Sequence, residues 1–237
     1  MSKITRRSYK RKKIVMGLAL FGAIGLVSTG FAAWVLSSNA NKDQDAGLKV
    51  GAVAESSMEI KNVAVKGVDT KRGSDTIDTI IETNVFSFNP KWNDNTGRVR
   101  YGAEGDECGE RLSLTISGKV TEAQNLGSLT IGPKSVPDKV AQAESVHYIV
   151  APACLKSTVT LTENTDYTIT TSETGISTAS FSYKVQFEWG SLFNGMNPAE
   201  FYDDSDATNA QINEVLTAMH NLLDGLTVSV DIIAHVN

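Results

Sequence analysis

Between residues 56 and 189, apolar and polar positions alternate in short runs broken by Gly, Asn, Asp and Pro, the period-two pattern of strands with one buried face. It predicts strands over 56–68, 76–88, 110–120, 127–131, 146–150, 158–162, 166–171 and 177–189. Leu112, Leu114 and Ile116 fall on one face of their strand, with Ser113, Thr115 and Ser117 on the other. Phe181, Tyr183, Val185, Phe187 and Trp189 form a second stripe, opposed by Ser182, Lys184, Gln186 and Glu188. Such stripes read as core faces, because β-branched and aromatic residues fit a pleated surface that is buried on one side. Many short strands at this spacing predict a mostly β fold, an antiparallel, jelly-roll-like β-sandwich.

The period changes near the end of the chain. Thr208 followed three residues later by Gln211 is a capping-box signature, and Ile212, Val215, Leu216, Met219, Leu222 and Leu223 then recur at helical spacing. Gly225 ends this one amphipathic helix, and Leu226, Val228, Val230, Ile232, Ala234 and Val236 resume strict alternation as a closing strand. The helix is expected to cover an open end or edge of the sandwich. Its polar face offers no Lys or Arg, which argues against a free membrane-surface helix.

A third pattern precedes the strands. Residues 14–36 form a run of 23 without a charge, behind a head containing Lys3, Arg6, Arg7, Lys10, Arg11, Lys12 and Lys13. A basic head and an apolar run make an export signal that delivers the remainder outside the cytoplasm. About 20 helical residues cross a bilayer, so the run is long enough to stay as an anchor. It is also rich in small residues that suit a signal peptidase. A cut after Gly30-Phe31-Ala32 gives a chain beginning at Ala33, and a cut after Ser38-Asn39-Ala40 one beginning at Asn41. Thr5-Arg6-Arg7-Ser8-Tyr9 approaches a twin-arginine signal, but Lys10 stands where that pattern wants an apolar residue. The expected organisation is a signal or anchor over 1–36, a linker over 37–46 and an extracellular sandwich over 47–237. The export machinery and signal peptidase are implied partners, and membrane contact is confined to residues 14–36.

The basic head, the Gly-interspersed run ending Ser28-Thr29-Gly30-Phe31-Ala32-Ala33-Trp34, and Ala46-Gly47-Leu48-Lys49-Val50 resemble the alternate, SipW-dependent signal region of TasA/camelysin-like exported proteins of Gram-positive bacteria. The resemblance implies a cut within the small-aromatic-Ala segment and a strand soon after the small-Gly-Leu step. It further implies a secreted β-sandwich with biofilm-matrix-fibre or surface-layer roles. Where the family has aromatic-Ser/Thr-Asp after the cut, this chain has Trp34-Val35-Leu36-Ser37-Ser38.

Removing the head alters the charge. The full chain has 22 Lys plus Arg against 27 Asp plus Glu, net −5; residues 1–32 take seven basic residues and no acidic one, leaving −12. An acidic exported chain disfavours nucleic acid and peripheral attachment to anionic lipid. Its two cysteines, Cys108 and Cys154, are 46 positions apart and outside any Cys-x-x-Cys pair, so a disulfide is the simple reading in an oxidising compartment. Such a bridge would stabilise the fold by about 4 kcal/mol on the chain-entropy model. Two reduced, buried thiols are the alternative.

Catalytic signals are few. His147, His220 and His235 are widely separated, the first and last in predicted strands, and no His-Glu-x-x-His, Gly-x-Ser-x-Gly or P-loop pattern occurs. The distinctive loop runs from Trp189 through Phe193 to Phe201 and Tyr202, then reaches Asp203, Asp204 and Asp206. Its rings either pack onto the core or contact a glycan or protein partner. The aspartates either start the helix or hold Ca²⁺ through hard oxygen ligands; no other cofactor is indicated. The expected function is a non-catalytic, secreted or cell-surface structural protein. It would associate with itself or another surface protein and form matrix fibres when Ala33, Trp34, Val35 and Leu36 add as a strand to a neighbour. The alternatives are a secreted carboxylate-dependent hydrolase and a glycan-binding or adhesion module.

Overall fold

The computed structural model describes residues 34–36, 47–73, 76–90, 110–203 and 205–237, all within the unit Ala33–Asn237. Residues 1–33, the linker 37–46, Cys108 and Asp204 lie outside the described residues. The chain forms β1 (Trp34–Leu36), β2 (Gly47–Ala54), β3 (Glu59–Gly73), β4 (Thr76–Thr83), β5 (Ser87–Phe88), β6 (Glu110–Arg111), β7 (Ser113–Thr121) and β8 (Leu126–Ser135). It continues as α1 (Asp138–Ser145), β9 (Ile149–Val150), β10 (Val159–Thr160), β11 (Tyr167–Thr171), β12 (Ser177–Gln186) and β13 (Glu188–Trp189). The last elements are α2 (Pro198–Asp203), α3 (Asn209–Leu223) and β14 (Thr227–Val236).

Two five-stranded sheets form the jelly-roll-like sandwich. Sheet I has the order β1-β2-β14-β8-β10 and sheet II the order β11-β12-β7-β3-β4. The alternating stripes meet between them. Val228, Val230, Ile232 and Ala234 of β14 and Leu129 and Ile131 of β8 are fully buried, as are Leu114 and Ile116 of β7 and Ala179 and Val185 of β12. The longest unbroken ladder joins β12 to β7, from Thr178 opposite Thr121 to Gln186 opposite Ser113. One pairing departs from the antiparallel expectation: β14 runs parallel to β2, Thr227 opposite Gly47 through Ala234 opposite Ala54.

The predicted strand over 177–189 is two strands, broken at Phe187. There the backbone N–H donates to Leu112 O at 2.9 Å, while the ring packs edge-on against Phe86 and Phe88. The predicted strand over 146–150 shortens to β9 because His147 adopts φ 61°, which puts it in a turn after α1 rather than in a strand. The C-terminal helix forms as expected. The Thr208 hydroxyl accepts from the Gln211 N–H, and the Gln211 side chain accepts from the Thr208 N–H at 2.9 Å. Ile212, Leu216, Met219 and Leu223 are its buried face. Among the described residues two helices join it: α1, which buries Val140 and Ala143, and the short α2.

Both α1 and α3 emerge from the same end of sheet I. β8 ends at Ser135, opposite Ser229 near the start of β14, and α1 follows the one strand while α3 precedes the other. The Lys139 ammonium donates to Asp224 O at 2.8 Å, joining the start of α1 to the end of α3. The opposite end of sheet I is where β1 begins.

Candidate functional site

Strand β2 lies next to the short terminal strand of sheet I. One side is fully paired with β14. On the other lies β1, whose register sets Trp34 opposite Ala54, Val35 opposite Val53 and Leu36 opposite Ala52. Ala52 and Ala54 turn their own small side chains into the core at 2% and 6% exposure. Thus Trp34, Val35 and Leu36 are strand residues of the unit Ala33–Asn237, and the expected signal run 14–36 overlaps that unit by four residues. Among the described residues, β1 pairs with only the last three residues of β2.

Beyond that edge, three chain-distant segments meet on sheet I. The His235 ring contacts Glu55 Oε1 through Nδ1 at 3.2 Å and Thr130 Oγ1 through Nε2 at 3.1 Å. The other Glu55 oxygen accepts from the Val236 N–H at 3.0 Å. A hydroxyl, an imidazole and a carboxylate in series have the order of a nucleophile relay. Thr130, however, lies mid-strand, paired with Ile233 on one side and Thr160 on the other, and is 8% exposed. The sheet ladder engages the amides around it, so the row lacks the convergent donors that an oxyanion needs. It ties the end of β2 to the end of β14 and the middle of β8.

Of the two readings of the aromatic loop, packing onto the core and contact with a partner, its rings follow the first. Trp189, Phe193 and Tyr202 are buried and Phe201 is half-buried. Phe193 is their hub, 6.1 Å from Trp189, 6.1 Å from Phe201 and 6.2 Å from Tyr202 in edge-on geometry, with Tyr148 stacked at 6.2 Å. Local chemistry accounts for the arrangement. Asn194 and Gly195 take positive φ and reverse the chain. Asn197 Oδ1 accepts the Ala199 N–H at 2.9 Å, capping α2 with Pro198 in its first position. Glu110 Oε2 accepts both the Trp189 indole N–H and, at 3.0 Å, the Asn197 amide. What the loop exposes instead is Leu192 and Met196.

The calcium reading gains no geometry. Asp204 and the side chain of Asp203 lie outside the described residues, Asp206 is exposed, and among the described residues no group of three or more His, Cys, Asp or Glu is placed to hold a metal. His147 is exposed and far in sequence from the His235 row. Cys154 is a free, fully buried thiol; its expected partner Cys108 lies outside the described residues. Burial pushes the thiol up to about 11, despite a hydrogen bond from the Tyr183 hydroxyl. Burial, and then the neighbouring Cys154, push Tyr183 up to about 12.

Sequence reasoning missed the Glu110 clamp and the Glu55–His235–Thr130 row, since each joins residues far apart in the chain. Among the described residues no helix is long and apolar enough to cross a membrane. No protein-family description, no curated protein and no solved structure matches the chain.

Proposed function

We propose that this chain is a non-catalytic, exported structural protein of the cell surface or extracellular matrix, resembling the TasA/camelysin-like proteins, and that copies join by N-terminal strand addition. The observation that carries the reading is the pairing of Trp34, Val35 and Leu36 with the last three residues of β2, whose side away from β14 is otherwise unpaired with any strand among the described residues. Ordering three residues costs about 3–6 kcal/mol of backbone entropy, while each new hydrogen bond returns about 1 kcal/mol. So short a strand is weakly held in its own molecule, and the same segment can add to the β2 edge of a second copy. Repetition of a contact that does not close on itself makes a filament.

Export supports the same reading. A cut before Ala33 frees the β1 segment, whereas a cut before Asn41 would discard it. The test compares exported chain beginning at Ala33 with chain beginning at Asp45, by light scattering and electron microscopy across a concentration series. Filaments from the longer chain alone are expected. Equal assembly by both, or none by either, would remove the N-terminal strand from the mechanism.

A further inference from the structure

The side of sheet II turned away from the core carries four lysines. Strands β12, β7 and β3 pair so that their outward residues form rows: Ser180, Lys119 and Lys61 in one, and Lys184, Thr115 and Lys66 in another. Between them lie Ser182 and Ser117. The two lysine-bearing rows are four residues of β7 apart, about 13 Å at the rise of a strand. Lys61 stands directly opposite Lys119, a like-charge pairing that costs stability in a sheet. Lys61 has Glu59 beside it, and Lys66 has Glu82 at 2.6 Å; these pairs are half-exposed and therefore weak. Among the described residues, Lys119 and Lys184 have no ion-pair partner.

At one end of this face a cavity of about 430 Å³ opens between β3, β6, β7 and β12, lined by Lys66, Glu110, Arg111, Ser113, Thr115 and Gln186 among others; one Glu110 oxygen is already engaged by Trp189 and Asn197. No Lys or Arg follows Lys184 in the chain, while Lys49, Lys134, Lys139 and Lys156 lie outside sheet II.

We infer that the outward face of sheet II binds an acidic polysaccharide, a sugar polymer carrying carboxylates at intervals. Lysines in two separated rows match charges repeated along a polymer rather than one small anion. The hydroxyls of Ser113, Thr115, Ser117 and Ser182 and the amide of Gln186 both donate and accept hydrogen bonds, as sugar hydroxyls require and a phosphate backbone, which only accepts, does not. Nucleic acid fits less well again, because the loop rings that would stack on bases are packed inside. The cavity seats one sugar unit, with Lys66 toward its carboxylate, and the flat rows carry the next units toward Lys119. A single copy has the whole face, so binding stands apart from strand addition.

The test is affinity electrophoresis and calorimetry of the exported chain with polygalacturonate, with its fully methyl-esterified form, and with single-stranded DNA and polyphosphate. Binding to polygalacturonate is expected, weakened about tenfold by esterification and again by high salt. Lys119→Glu combined with Lys184→Glu should lose about tenfold or more in affinity without lowering the unfolding midpoint, while Lys49→Glu, outside sheet II, should change little. Absence of binding, equal binding of the ester, preference for DNA or polyphosphate, or equal loss with Lys49→Glu would each overturn the inference. Filament formation by the same samples reports separately on strand addition.

Discussion

Glu110 holds two donors with one oxygen: the indole of Trp189 and the amide of Asn197. Both belong to the aromatic loop, so a single carboxylate fixes where that loop returns to the sandwich. Glu110→Ala would leave two partly buried donors without an acceptor and should destabilise the fold by about 2 kcal/mol, read as a lower urea midpoint with an unchanged slope. Cys154 and Tyr183 make a second residue-scale case. Their protons are held more tightly in the folded chain, Cys154 because burial disfavours the thiolate. Below pH 9 folded and unfolded chains are both protonated there, and stability is full. As pH rises from 9 through about 11, the unfolded chain gives up its protons first, so stability falls. A thermal midpoint declining over that window is expected of the thiol form, and Cys154→Ser should flatten the decline. A midpoint indifferent to pH up to about 11 would contradict the assignment.

At the scale of elements, close approach is as informative as hydrophobic pattern. Gly190 donates to Tyr148 O at 2.9 Å, and a Cβ there would stand 2.0 Å from His147 O and 2.9 Å from Ile149 N. Backbone cannot yield as a flexible side chain does. Gly190→Ala should therefore cost about 1–3 kcal/mol, whereas Thr208→Ala, which removes one cap, should cost about 1 kcal/mol; chemical denaturation of the two variants checks the order. The strands and α3 were legible because burial on one face writes its period directly into the sequence: β14 alternates from Val228 to Ala234 and all four inward positions are fully buried. Helix α1 was not read, although Pro137 and Asp138 mark its start, because only Val140 and Ala143 face inward and two apolar residues make no visible stripe. The break at Phe187 was equally hidden, since alternation continues across it. Parallel pairing of β2 with β14 has no signature in either strand alone, and the same holds for the row that joins Glu55, Thr130 and His235.

For the whole molecule, one edge of sheet I and one face of sheet II bear on function. The edge lies along β2, covered at three residues by β1 and met at Leu48 by Asn84 O, and the face is the lysine-bearing side of sheet II. An edge strand invites pairing with another chain, and here the segment that pairs is the one that a cut before Ala33 would place at the N-terminus. The long β12–β7 and β14–β8 ladders are independent of it, so loss of residues 33–44 should abolish assembly while shifting the unfolding midpoint only slightly.

The central claim, that β1 of one copy occupies the β2 edge of the next, is tested most directly by a crosslink at their register. Val35 and Val53 are paired positions, within disulfide reach across an antiparallel ladder. In a chain carrying Cys108→Ser and Cys154→Ser, Val35→Cys with Val53→Cys should give, after assembly and oxidation, a ladder of covalent multimers on a non-reducing gel. Filaments that yield only monomer-sized crosslinked chain would contradict the claim.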